Sequence, residues 1–185
     1  DFHAFAQSQR GHLRILRQLD TDRKVFVGLE CVESKYQEVV DEFQRGSIPE
    51  EEFLEKVKWH EGWGFDWENY KPLFELAKEK GYQLIALNFY KESESGTPMG
   101  VREEHSVEVI NTYLSKNKEA FFYIVYGDLH LADPHLPDKL SQKTQVAKDK
   151  ILRVFQNSEE IYFSQVQEHG HLETDIYRKS ETAFC

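Results

Sequence analysis

Six polar residues that could bind a ligand or transfer a proton stand at the ends of strand-like segments or, for His135, on the loop that follows the last strand. They are His3, Glu30, Asn88, Asp128, His130 and His135. The short apolar runs 25–29, 84–87 and 121–126 are typical of strands buried on both faces. The carboxyl ends of parallel strands meet at one edge of a sheet, where ligands bind. We therefore expect these side chains to share one crevice.

Three of these residues suit two kinds of chemistry. His3, Glu30 and His130 could bind a divalent zinc, iron or manganese ion, because imidazole and carboxylate groups are common ligands of these metals. They could equally act as acid and base on a bound substrate. The structural alternative is that strand-end polar residues cap neighbouring helices or bind one another.

The segment 127–137 places two histidines on one short loop. We expect Gly127 to let the chain turn sharply off its strand, and Pro134 and Pro137 to stiffen the loop. A rigid loop of this kind suits ligand binding, which favours a functional role for His130. His135 could be a second ligand or an exposed residue of a proline-rich turn.

All three tryptophans lie in the segment 59–67, with Tyr70 just beyond it. They could form an aromatic wall for a planar ligand, with His60 or Tyr70 available to iron. Alternatively, they form a small core that attaches a helical segment to the sheet.

The remaining pattern predicts an α/β fold in which a mainly parallel sheet is flanked by helices. Apolar spacing indicates helices over 5–19 and 102–116, and a weaker strand over 151–155. Ser158 could cap a short helix that runs to about residue 166. Residues 33–71 read as a helical insertion, in which one helix ends at Gly46 and the next begins with a capping box at 47–50 and runs through Trp59. We expect one discontinuous α/β domain, 1–32 and 72–185, truncated at both ends.

Composition excludes several classes of protein. The 33 acidic against 23 basic residues give a net charge of -10, which argues against a nucleic-acid partner. The longest apolar runs are far shorter than the ~20 residues of a membrane helix. Two cysteines make no disulfide framework, and we expect Cys31 to be a small buried residue. The sequence has no glycine-rich phosphate loop, G-x-S-x-G elbow or C-x-x-C motif.

Several motifs together resemble the ChaN-like family of haem-binding lipoproteins. They are a strand-end His, a helix with Gln9 near its start, VFVGLE, IPEEEF, W-x-x-x-W-G near Tyr70, LIALN and YGDLHLADPHLP. The resemblance covers about residues 3–162. The family belongs to a superfamily that includes the Tiki proteases and erythromycin-esterase-like proteins.

The resemblance implies a parallel sheet with a small helical domain. It also implies a bacterial iron-uptake protein of the periplasm or outer membrane, held by a lipid anchor outside this chain. Haem would lie at a homodimer interface, with a tyrosine on the iron. The candidate haem ligands are Tyr36, Tyr70, Tyr162 and His60. The alternative is a Tiki-like metal-dependent hydrolase that uses His3, Glu30 and His130, and a third is a scaffold without a ligand.

Overall fold

A three-stranded parallel sheet forms the centre of the protein. The computed structural model describes residues 1–91, 96–156, 167 and 178–184. Strand β1, Val25–Glu33, is central and pairs on one side with β2, Gln83–Asn88, and on the other with β3, Phe121–Val125. The predicted α/β class and all three strands are confirmed.

Six helices surround this sheet in the described part of the chain. They are α1 Ala6–Gln18, α2 Gln37–Arg45, α3 Glu50–Lys56, α4 Trp67–Lys80, α5 Met99–Lys116 and α6 Leu136–Lys143. Gly46 ends α2 with a left-handed φ of 74°, as expected. The predicted capping box is wrong, because Pro49 occupies the N-cap of α3 and makes no side-chain cap.

The segment after α3 also differs from the prediction of a helix through Trp59. Lys58 takes a left-handed φ of 54°, and the next five residues, Trp59–Trp63, form a π-helical turn. Asp66 then caps α4 by accepting a hydrogen bond from the Glu68 N–H at 3.1 Å. The aromatic segment is therefore a compact connection between α3 and α4.

Each face of the sheet packs on its own core. On one face, Val27 and Leu29 of β1 pack with Leu16 of α1 and Phe74 of α4. On the other, Phe26 packs with apolar residues of β2, α5 and α6, which are Ile85, Leu87, Val107, Ile110, Leu136 and Leu140. The two faces alternate along β1, as the pleat of a strand requires.

The outer edge of β2 is covered by two glutamines of α2. Gln37 donates to the Leu84 carbonyl at 2.9 Å and accepts from the Ala86 N–H at 2.7 Å. Gln44 makes the same pair of bonds with the Tyr82 carbonyl and the Leu84 N–H. The two glutamines are seven residues apart and thus on one face of the helix, so their amides take the place of a further strand.

A small second sheet lies near the carboxyl end. Strand β4, Arg153–Val154, falls within the predicted strand and pairs parallel with β6, Ala183–Phe184, which also pairs antiparallel with β5, Arg178–Ser180. The helix predicted over 158–166 lies outside the described residues. No helix in the described ranges is long and apolar enough to cross a membrane.

Candidate functional site

Glu30, near the end of the central strand, is the centre of the site. Its side chain is 4% exposed, and Oε1 accepts a short hydrogen bond from Arg102 while Oε2 accepts the Gly127 N–H at 2.7 Å. Burial opposes ionisation, but contacts from His130, His3 and the Gly127 N–H outweigh it and hold the pKa of this carboxyl well below its usual range. Glu30 is therefore a carboxylate at neutral pH.

Two histidines approach the two oxygens of this carboxylate. His3 Nε2 lies 3.3 Å from Oε2, and His130 Nε2 lies 3.4 Å from Oε1 of Glu30. Behind each ring, Nδ1 meets a second carboxylate: His3 contacts Asp1 at 2.6 Å, and His130 contacts Glu103 at 2.8 Å. The hydrogen bond with Glu103 directs His130 Nε2 toward Glu30, whereas Asp1 and His3 make a close polar contact.

Helix α1 holds Asp1 from behind. Gln9 donates to Asp1 Oδ2 at 2.8 Å, and His12 Nε2 lies 2.9 Å from the same oxygen. The other His12 nitrogen, Nδ1, lies 2.8 Å from the Tyr123 hydroxyl. His12 is itself buried, and burial lowers its pKa to about 3 and keeps the ring neutral inside the protein.

Glu103 of α5 gathers three basic groups. Its Oε1 lies 2.8 Å from His130 Nδ1 and 2.9 Å from His135 Nδ1, while Oε2 accepts from Lys139 Nζ at 2.6 Å. Burial opposes its ionisation, but Lys139 and His130 lower the pKa of Glu103. This carboxylate fixes the loop that bears both histidines against α5.

Arg102 connects Glu30 with the second strand. Its Nε donates to Asn88 Oδ1 at 2.9 Å, and its guanidinium carbon lies 5.1 Å from the centre of the Tyr90 ring. The Asn88 amide donates in turn to the Tyr90 hydroxyl at 3.1 Å. Asn88 thus positions two groups of the crevice, Arg102 and Tyr90.

The crevice itself has a polar floor and a largely apolar wall. Its volume is about 550 Å³, and Glu30, Arg102, His3, Asp128 and His130 are among the residues that line it. The apolar lining residues are Phe2, Phe5, Trp63, Phe65, Tyr90, Met99 and Leu129. The Trp63 ring packs edge-on against His3, with 4.5 Å between ring centres. Such a cavity falls in the size range of sites for small organic ligands.

Gly127 is required at the crevice because of the space it leaves, and not because of the sharp turn that we expected. Its φ of -58° is ordinary backbone, so no unusual turn demands glycine. A Cβ at this position would lie 3.0 Å from His3 Nε2 and 3.5 Å from Glu30 Oε2. The absent side chain therefore leaves room for the histidine and the carboxylate to meet.

The structure brings most of the predicted crevice residues together. His3, Glu30, Asp128 and His130 line the cavity, and Asn88 contacts two lining residues. His135 instead lies behind the site, on Glu103. The described residues contain no group of three His, Cys, Asp or Glu side chains arranged to hold a metal ion.

The haem ligands proposed from the sequence are more scattered. Tyr70 is 1% exposed and donates to the His3 carbonyl at 3.2 Å, and burial raises the pKa of its phenol. Tyr36 is half-buried in the turn after β1, and His60 is exposed on the π-helical turn. Tyr162 lies outside the described residues. Of the tryptophans, Trp59 and Trp67 belong to the core, whereas Trp63 lines the crevice.

Sequence reasoning missed Arg102, Glu103 and Tyr90. A signal for Glu103 was available, because it precedes Val107 and Ile110 by four and seven residues and so shares their buried helical face. A carboxylate on that face needs partners. Arg102 and Tyr90 gave no such signal, because nothing in the local pattern separates them from exposed residues.

The site thus lies at the carboxyl edge of a parallel sheet, where His3 and His130 flank the buried Glu30 carboxylate. A family model described as haem-binding uptake, Tiki superfamily, ChaN matches residues 1–96, slightly more than half of the chain. The chain belongs to this family, which confirms the resemblance. The match includes His3, Glu30 and Asn88 and ends before α5. Neither the curated proteins nor the solved structures contain a match.

Proposed function

We propose that the crevice binds haem, and that the protein serves bacterial iron uptake. The observation that supports this most is the aromatic wall around the polar floor, since haem needs an apolar surface for its macrocycle and polar groups for its propionates. Family membership supports the same ligand class. An envelope location, a lipid anchor outside this chain and a homodimer belong to the proposal as properties implied by the family.

The exposed apolar side chains at the crevice fit a large flat ligand. Phe5 and Leu129 are 59% and 72% exposed, and both line the cavity. A patch of exposed apolar side chains is typical of a surface that a ligand or a partner covers. Arg102 and the histidines beneath them could bind carboxylate groups.

Tyr90 is the iron ligand that the geometry supports best. Its ring lines the crevice and is 38% exposed, whereas Tyr70 is buried and its hydroxyl is engaged by the chain. The Tyr90 hydroxyl accepts from the Asn88 amide, which orients it at the cavity. A phenolate is an established ligand of haem iron. In this proposal haem is the cargo of the protein, and Tyr90 binds its iron.

Absorption titration with hemin tests this proposal. We expect a saturable Soret shift in the wild type and, in Tyr90→Phe, loss of the phenolate spectrum with affinity lower by roughly tenfold or more. Tyr36→Phe is the matched control, because it removes a half-buried phenol outside the cavity lining. An unchanged spectrum in Tyr90→Phe would exclude this ligand. No saturable shift in any variant would contradict haem binding itself.

A second candidate function is hydrolysis at the same cluster. It is favoured by the two histidines whose Nδ1 atoms face carboxylates and whose Nε2 atoms meet at Glu30. The set of ligands for a divalent ion is incomplete as arranged, because Arg102 and the Gly127 N–H already occupy the Glu30 oxygens. The residues offer acid–base chemistry instead: a neutral imidazole can accept a proton from water, and a protonated one can donate to a leaving group.

Metal analysis and a hydrolase screen separate this candidate from haem binding. Under the hydrolase proposal, peptide cleavage should fall by roughly 100-fold or more in both His3→Gln and His130→Gln. Tyr90→Phe should leave the cleavage rate unchanged, although the same change should weaken hemin binding. Stoichiometric zinc, iron or manganese in the purified protein would show that the ion pair with Arg102 opens for a metal.

A further inference from the structure

A serine and a histidine form a second pair at the same edge of the sheet. Ser34 Oγ lies 2.6 Å from His105 Nε2, and both side chains are half-buried. Neither residue lines the crevice described above. Arg102, which does line it, precedes His105 by three residues, so the pair lies one helical turn further along α5.

We propose that Ser34 is a nucleophile and His105 its general base, in a dyad that transfers the acyl group of small carboxylic esters. This site is separate from the haem crevice. Ser34 is the first residue after β1, the central strand, and begins the turn Ser34–Tyr36 that leads into α2. A serine at a strand-to-helix turn of a central strand is well placed to react, because its hydroxyl stands at the end of the sheet.

The imidazole is held in place by its neighbour. Phe89 follows β2 and stacks on the His105 ring, with 4.6 Å between ring centres and 21° between planes. This contact fixes the ring while Nε2 faces Ser34, and it gives the non-polar part of an ester a surface beside the dyad. Among the described residues no carboxylate pairs with His105, so we expect slower acyl transfer than a triad supports.

The reaction balances with these two residues, an ester and water. In the tautomer protonated at Nδ1, the Ser34 hydroxyl donates to His105 Nε2. Ser34 Oγ attacks the ester carbonyl carbon while its proton passes to Nε2, and the leaving alcohol takes that proton as its C–O bond breaks. Water then gives a proton to Nε2 and attacks the acyl carbon, and Ser34 Oγ leaves with the proton.

Labelling with a fluorophosphonate, which phosphonylates activated serines, tests the dyad. Intact-mass analysis should show one adduct on the wild-type protein, and peptide mapping should place it on Ser34. We expect no adduct on Ser34→Ala, and labelling of His105→Gln slower by roughly 100-fold. Ser115→Ala and His60→Gln are matched controls, because they change an exposed serine of α5 and an exposed histidine, and both should label like the wild type.

Two results would overturn the proposal. A wild-type protein that takes no adduct, or an adduct that persists in Ser34→Ala, excludes Ser34 as the nucleophile. Equal labelling rates for His105→Gln and the wild type exclude the general base. Hemin titration of Ser34→Ala tests the two sites independently. We expect its Soret shift to equal that of the wild type, whether or not the dyad reacts.

Discussion

At the scale of single residues, the site is defined by how charge is distributed around Glu30. Asp1, Glu30 and Glu103 contribute three carboxylates, against the two fixed cations Arg102 and Lys139. With Asp128, which also lines the crevice, the carboxylates outnumber these cations. This excess of carboxylates favours a cationic group next to Glu30.

Replacing Glu30 by Gln should destabilise the protein. The change keeps the size of the side chain but leaves the Arg102 guanidinium without its charged partner. We expect a loss of about 3 kcal/mol in the free energy of unfolding at pH 7, measured by urea denaturation. Glu61→Gln, at an exposed carboxylate, should change it by less than about 0.5 kcal/mol.

A comparison of the wild type with Glu30→Gln over a range of pH tests the ionisation of Glu30. Because the folded pKa is depressed, this carboxylate stabilises the fold fully above its unfolded pKa, and the contribution is lost as the pH falls toward the folded value. The difference between wild type and Glu30→Gln should therefore shrink from pH 7 to pH 3. A difference that stays constant over this range would contradict the assigned pKa direction.

His12 should make stability pH-dependent in a higher range. Its folded pKa of about 3 lies below the unfolded value, so the unfolded chain takes up a proton first as the pH falls below about 6.5. Between pH 7 and pH 5, the wild type should lose about 2 kcal/mol more than His12→Gln does. His60→Gln, at an exposed histidine, should follow the wild-type curve. Parallel curves for wild type and His12→Gln would show that His12 is not buried neutral.

At the scale of elements, α2 protects an edge of the sheet. The Gln37 amide both donates to and accepts from the backbone of β2, so its role depends on having an N–H group as well as an oxygen. Sequence patterns do not reveal this arrangement, because two glutamines seven residues apart are ordinary on an exposed helical face.

Gln37→Glu should destabilise this edge. The carboxylate can still accept the Ala86 N–H, but it cannot donate to the Leu84 carbonyl and repels it. We expect a loss of about 1–3 kcal/mol in the free energy of unfolding. Gln18→Glu makes the same chemical change at an exposed position of α1 and should have little effect. Equal stability of the two variants would show that the glutamine contacts with β2 contribute nothing.

At the scale of the whole molecule, the elements that bury apolar surface were the predictable part. The runs at 25–29, 84–87 and 121–126 became the three parallel strands, because strands buried on both faces must be continuously apolar. The same logic predicted that residues at the strand ends would meet, and His3, Glu30 and His130 do.

The unpredicted parts depend on contacts between distant segments. Arg102 and Glu103 enter the site from a helix, and His12 is buried by Asp1 and Tyr123. Periodicity describes which face of an element is apolar, but it does not tell which polar side chains find partners across the fold. The family match ends at residue 96, before Arg102 and Glu103.

The most direct test of haem binding in the crevice is a backbone-amide NMR titration with gallium protoporphyrin, a diamagnetic haem analogue. We expect saturable shifts at equimolar ligand, largest at Trp63, Arg102 and Gly127, which surround the cavity. Amides of α2, which lies outside the cavity lining, should stay unchanged. Shifts confined to residues away from the crevice, or no saturable shift, would contradict the proposed site.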